Sequence, residues 1–300
     1  RATLIERLGA TAAAAGWLGA VVDSRRTRIH LIDRLFHEIA AQVDWDATAA
    51  AVLRRLLVEA GYRLPDSGSV RLIDIAAARD TAPSDLAEFD LRISDLLIER
   101  VYRNYDLSYE FRLAMLRLCQ GLLHPGGTRA DEAALVKRWL RGAQKSMTPL
   151  KSALIYQRIA RHNARHMLAS LAHWAHLAGM SGLALCLDIS RYTDAARPAE
   201  PDGSLSFSTA AALDAYEVLR QFIDATDELA YCFIAVVAAR SFLEDERRGL
   251  DRYDALKLRI WEEVHDRRRV NPLAALMRVA PEPEVREAAA GELPSEEAPW

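Results

Sequence analysis

Two compact apolar runs, GLALCLD at 182–188 and YCFIAVVAA at 231–239, limit most sharply what this chain can fold into. Each is too short to cross a bilayer, and neither alternates as a strand with one wet face would. Both faces of each run must therefore be covered. Helical periodicity fills the chain between and before them, and apolar runs that alternate with helices build a parallel sheet flanked by helices. The expected class is α/β and helix-rich.

The rest of the chain is read by its periodicity. Asp23 and Ser24 are placed to cap a helix carrying Ile29, Ile32, Leu35, Phe36 and Ile39, so residues 1–45 read as an N-terminal helical segment. Asp46 starts a second helix, running through Val52, Leu53, Leu56 and Leu57 to Gly61, and it opens a domain expected over 46–280. Val70, Leu72, Ile73 and Ile75 form a short β-type run, with Asp74 and Asp80 about its end. Helical patterns cover about 84–123 and 131–143, and Leu150–Ala178 reads as one long helix stopped by Gly179. A Pro-, Asp- and Gly-rich loop at 197–206 leads to a helix near 208–228. The final segment, 281–300, holds six Glu, one Arg and four Pro, the composition of a disordered acidic tail.

Charge and cysteine usage exclude some classes. The chain has 39 basic and 42 acidic residues, and setting the tail aside leaves a charge of about +2. No global basic field announces nucleic acid. Cys119, Cys186 and Cys232 are odd in number and lie in apolar stretches, as reduced buried thiols do. With no long apolar run and no clear signal peptide, the expected setting is cytoplasmic, with no membrane partner.

GLALCLD has the form of a Walker B strand, which delivers an Asp to its C-terminal end to hold magnesium beside a nucleotide phosphate. The stretch 238–260, AARSFLEDERRGLDRYDALKLRI, adds Phe242, Leu243, Asp245, Arg247, Arg248, Gly249, Leu250, Tyr253, Ala255, Leu256 and Arg259. In order and spacing these residues resemble the segment after the fourth core strand in the ATP-binding proteins of BREX phage-defence systems. KRWLRGA at 137–143 resembles a Trp-Leu-Arg-Gly element upstream. The resemblance implies a P-loop ATPase-like core in a bacterial defence system. It carries Asp188 over to the magnesium position and places Arg247 and Arg248 near a nucleotide edge.

The departures from that family pattern are equally specific. No G-x-x-x-x-G-K-[ST] phosphate loop occurs. GLLHPGGT at 121–128 has Gly127 where lysine belongs and follows a helix. Chain order places the loop at VDWDATAAAVLRR, 43–55, which lacks glycine and lysine and carries two Asp. Ile189 stands where a glutamate polarises the attacking water, and an aliphatic side chain cannot do that. The expected role is a pseudo-ATPase scaffold or regulatory subunit, with no cofactor, partnered by an active ATPase or helicase of the same system. The alternatives are an atypical ATP and magnesium sensor using Asp188 with Arg247 or Arg248, a slow ATPase, or a DNA-binding accessory subunit.

Two further sets carry weaker expectations. His162 and His166 are spaced i, i+4 and could bind zinc, although Arg161 and Arg165 repel a cation and no Glu or Cys completes the set. Arg25, Arg26 and Arg28, then Arg158, Arg161 and Arg165, then Arg267, Arg268 and Arg269 are basic clusters. Each can meet DNA phosphates, a partner's acidic surface, or only water.

Overall fold

The run LALCLD forms strand β2 (Leu183–Asp188), and all six of its residues are buried. In this computed structural model, residues 2–194, 203–260, 276 and 279 are described. The acidic tail and Arg267, Arg268 and Arg269 lie outside the described residues. Contacts divide the chain into a unit of residues 1–257 and a second of 258–300.

β2 is the central strand of a three-stranded, wholly parallel sheet. One neighbour is β3 (Cys232–Val237), the second apolar run of the sequence. The other is β1 (Leu18–Asp23), which corrects the reading of 1–45 as helical throughout. Helix α1 (Ala2–Ala14) packs close on β1, where a Cβ on Gly9 would come within 2.6 Å of Val21 Cγ2. After β1, the loop 24–31 leads into α2 (Ile32–Gln42), so Asp23 and Ser24 sit at a strand end rather than a helix cap. Helix α3 (Trp45–Glu59) follows, with the Asp44 side chain accepting the Ala47 N–H at 2.9 Å.

The expected β-run at 70–75 is instead the short helix α4 (Leu72–Ala77). Leu72, Ile75 and Ala76 are buried while Ile73 is 57% exposed, a helical pattern of burial that tertiary packing imposes on β-branched residues. The pattern at 84–123 divides into α5 (Leu86–Leu97), a π turn over Ile98–Tyr102, and α6 (Tyr109–Leu123). Helix α7 (Gly127–Leu140) comes next. The long helix expected over 150–178 is shortened to α8 (Ala164–Leu177), after an irregular stretch in which Leu154 has a φ of 62°. That left-handed residue breaks the helical path, yet Ala153, Ile155 and Ile159 are buried in the core.

Past β2 come the four-residue helix α9 (Ser190–Thr193) and α10 (Thr209–Asp224). After β3 come the short α11 (Ser241–Glu244) and α12 (Asp254–Ile260). Both α1 and α8 pack against β2, and α2 packs against α8. The core runs from β2 through Trp45, Phe111 and Trp174, all at 0% exposure.

The two edges of the sheet are treated differently. At the β1 edge, Gln42 turns its side-chain amide onto the strand: Val21 N–H donates to Gln42 Oε1 at 3.0 Å, and Gln42 Nε2 donates to Val21 C=O at 2.9 Å. That edge is capped at Val21. At β3, Leu183 N–H donates to Tyr231 C=O at 2.8 Å and Ile189 N–H to Val237 C=O at 2.9 Å. Parallel pairing therefore turns the odd-numbered residues toward β2 and leaves the amides of Ile234 and Val236 at the outer edge. Among the described residues no group closes that edge. Phe233 and Val236 are 51% and 41% exposed.

Candidate nucleotide site

Parallel strands gather their carboxyl ends at one rim, where open α/β sheets bind ligands. Asp188 ends β2 there and is 6% exposed. Its Oδ1 accepts the Ser190 N–H at 2.8 Å, and its main-chain carbonyl accepts the Ser24 N–H at 2.9 Å. Asp23 is level with it in the register. The Ser24 hydroxyl accepts the Arg191 N–H at 3.2 Å, so the β1–α2 loop and α9 are joined. The Ser190 hydroxyl is buried with no hydrogen-bond partner among the described residues.

Around this centre the rim is built from packed polar and aromatic groups. Thr193 and Ser241 share a hydroxyl–hydroxyl bond of 2.8 Å that joins α9 to α11. Tyr192 is wholly buried, stacks on Phe207 at 4.1 Å, and accepts the His30 N–H at 3.0 Å. Burial raises its phenol well above the usual range and depresses protonation of His30. Ile189 is 1% exposed, its side chain packed in the core.

The arginine pair has a more local part. Arg247 and Arg248 both direct their main-chain N–H groups to Asp245 Oδ1, at 2.7 and 2.8 Å, and these bonds lower the Asp245 carboxyl below its ordinary value. The Arg248 guanidinium donates to Phe207 C=O at 3.0 Å, whereas Arg247 is exposed. Among the described residues, no hydrogen bond or ion pair joins either arginine to Asp188.

The segments searched for a phosphate loop are occupied otherwise. Residues 45–55 lie in α3, with Trp45 buried and Asp46 paired to Lys137 Nζ at 2.7 Å. In 121–128, Gly121 allows close approach of α6 and α7, since a Cβ there would meet Ala133 Cβ at 2.5 Å. The polar set at the rim fits the magnesium end of a nucleotide site, where one or two carboxylates suffice beside phosphate oxygens. Among the described residues it offers no glycine nest or lysine for the phosphates. Among the described residues no cluster of three His, Cys, Asp or Glu side chains could hold a metal, so His162 and His166 lack further ligands of these kinds.

Residues 73–283 match the family described as BREX system ATP-binding protein BrxC/D. The chain belongs to that family. This BREX ATP-binding family member is thereby tied to a phage-defence system, and the match spans β2, β3 and the signature from Phe242 to Arg259. β1 stands before the matched region. No curated protein and no solved structure matches the chain. No described helix is long and apolar enough to cross a membrane.

The rim residues that sequence reading missed are Asp23 and Ser24. The signal was present: LGAVVD at 18–23 has the same form as LALCLD at 183–188, an apolar run ending in Asp. Its small residues and the alanine-rich stretch before it lend it to a helical reading.

Proposed function

We propose that this BREX-family chain serves its defence system as an ATPase-like scaffold or regulatory subunit that does not hydrolyse ATP by the usual route. The observation that carries the reading is the end of β2. Asp188 ends the strand at the position that the family resemblance gives to a magnesium ligand, but the next side chain is the buried Ile189, which cannot orient or deprotonate a water. The helical build of 45–55 and the packing role of Gly121 support it further. A scaffold needs a docking surface, and the exposed outer edge of β3 supports that part of the reading, as an edge that an added strand from another subunit can pair with.

A second reading keeps nucleotide binding, as an ATP sensor or slow enzyme. It is favoured by the buried, unpartnered Ser190 hydroxyl beside Asp188. Isothermal titration with ATP and magnesium, run beside Asp188→Ala, separates the two. The scaffold reading expects no heat from either protein. Binding heat that vanishes in Asp188→Ala would replace it with the sensor reading.

A further inference from the structure

Basic side chains from separate elements meet in a cleft that the Asp188 site does not use. Arg161 and His162 stand just ahead of α8, and Arg165 and His166 lie in its first turn. Ile32, at the start of α2, and Arg220 and Gln221 of α10 complete a cavity of about 340 Å³. Among the described residues no Asp or Glu lines it. The turn that presents Arg161 is firmly built. Asn163 is 9% exposed, its Oδ1 accepts the Ala160 N–H at 2.8 Å, and its Nδ2 donates to Arg158 C=O at 3.1 Å.

The cations differ in how far their charge is already used. Arg220 is spent on Glu217, at 2.6 Å, and on Asp224. Arg165 reaches Glu228 only at 4.0 Å. Arg161 is exposed and has no ion pair among the described residues, and the same holds for Arg28 on the β1–α2 loop. Arg28 stands four residues ahead of Ile32, in the turn that its carbonyl closes with the Leu31 N–H at 2.9 Å, so the β1–α2 loop leads from it into the cleft; it and Arg161 both act electrostatically against a charge on His30. Asp214 is the acid that acts on His30 in the opposite sense.

We propose that this cleft, together with Arg28 beside it, holds the phosphate backbone of nucleic acid. Three under-compensated guanidinium groups, Arg28, Arg161 and Arg165, stand on two separate segments, and a polymer that presents phosphate after phosphate can engage both. Guanidinium groups bind phosphate oxygens in forked pairs. With no groove-reading helix or base-stacking platform in the cleft, the contact is to backbone and insensitive to sequence. His162 and His166 then serve as hydrogen-bonding walls of an anion cleft rather than as zinc ligands. This inference is independent of the scaffold reading, since it needs nothing from Asp188.

The test is fluorescence anisotropy of the whole protein with a short labelled DNA duplex across a salt series. Three phosphate contacts predict a slope near −2.7 in log K against log salt, a loss of about 40-fold between about 50 and about 200 mM. Arg28→Ala and Arg161→Ala each remove about 0.9 from that slope, and Arg161→Lys restores most of it. Circular dichroism verifies the fold of each variant, whose altered side chain is exposed. Three results would overturn the proposal: no binding at low salt, a slope unchanged in Arg28→Ala/Arg161→Ala, or complete displacement by millimolar inorganic phosphate. The last would assign the cleft to a free phosphate compound.

Discussion

Gly182 immediately precedes β2 with a φ of 140°, and a Cβ there would lie 2.0 Å from the Tyr231 carbonyl oxygen. That oxygen accepts the Leu183 N–H at 2.8 Å, the first rung between β2 and β3, so the close approach and the rung are one feature. Tyr231 itself has a φ of 59° and is held by stacking on His176 at 3.8 Å. Gly182→Ala must therefore both strain its own backbone and push β3 from β2. The expected loss of stability is about 2–4 kcal/mol, read as a lowered midpoint in chemical denaturation. Gly179→Ala is the control: its φ is 90° but nothing lies within 4 Å of the added Cβ, so only the conformational cost, about 1 kcal/mol, applies. Equal losses for the two would remove the contact argument.

At the scale of elements, what could be read from sequence depended on whether one segment alone held the signal. β2 and β3 were legible as strands because an uncharged apolar run has few other uses, but the burial expected on both faces holds for β2 alone: no residue of β3 is buried, and Phe233 and Val236 are exposed. Asp188 was legible for the same reason, as the acid that ends such a run. The helix at 72–77 was not, since its β-branched residues favour a strand until packing buries one helical face. The basic cleft was only half legible. Arg161, His162, Arg165 and His166 announce themselves on one segment, but Arg28, Arg220 and Gln221 arrive through the fold. The sheet edges were invisible from sequence, because Gln42 acts on Val21 from another element. They predict a sharp asymmetry. The N–H of Ile234 faces outward, so Ile234→Pro removes a donor from the proposed docking edge without breaking a rung to β2. We expect thermal unfolding of the isolated protein to change little, while association with any subunit of the defence system that co-sediments with the unaltered protein falls at least tenfold. Gln42→Ala, at the capped edge, should leave that association intact. Unimpaired association of Ile234→Pro would end the case for β3 as the docking edge.

For the molecule as a whole, acid sensitivity follows from one acidic junction between α10 and the stretch that follows β3. Glu217 on α10 accepts hydrogen bonds from Arg220 at 2.6 and 2.7 Å, from Gln221 at 2.7 Å, and from the Tyr253 hydroxyl. The arginine, foremost among these partners, holds its carboxyl down at about 2 instead of 4.5. A carboxyl depressed on folding stabilises the native state fully above the unfolded value, and that contribution fades as pH falls toward the folded one. The window is thus from about 4.5 down to about 2. Asp245 and Glu59 are shifted in the same direction, Asp245 chiefly by the Arg247 and Arg248 main-chain N–H groups and Glu59 chiefly by Arg55. Their contributions fade on acidification too. Because Glu217 is partly open to solvent, its share is reduced by screening and high salt should shrink it. Glu217→Gln keeps the shape but removes the titration. Its denaturation midpoint should lie below that of the unaltered protein at pH 6, with the two converging as pH approaches 3. Parallel curves across that range would mean that Glu217 is not a source of the acid dependence.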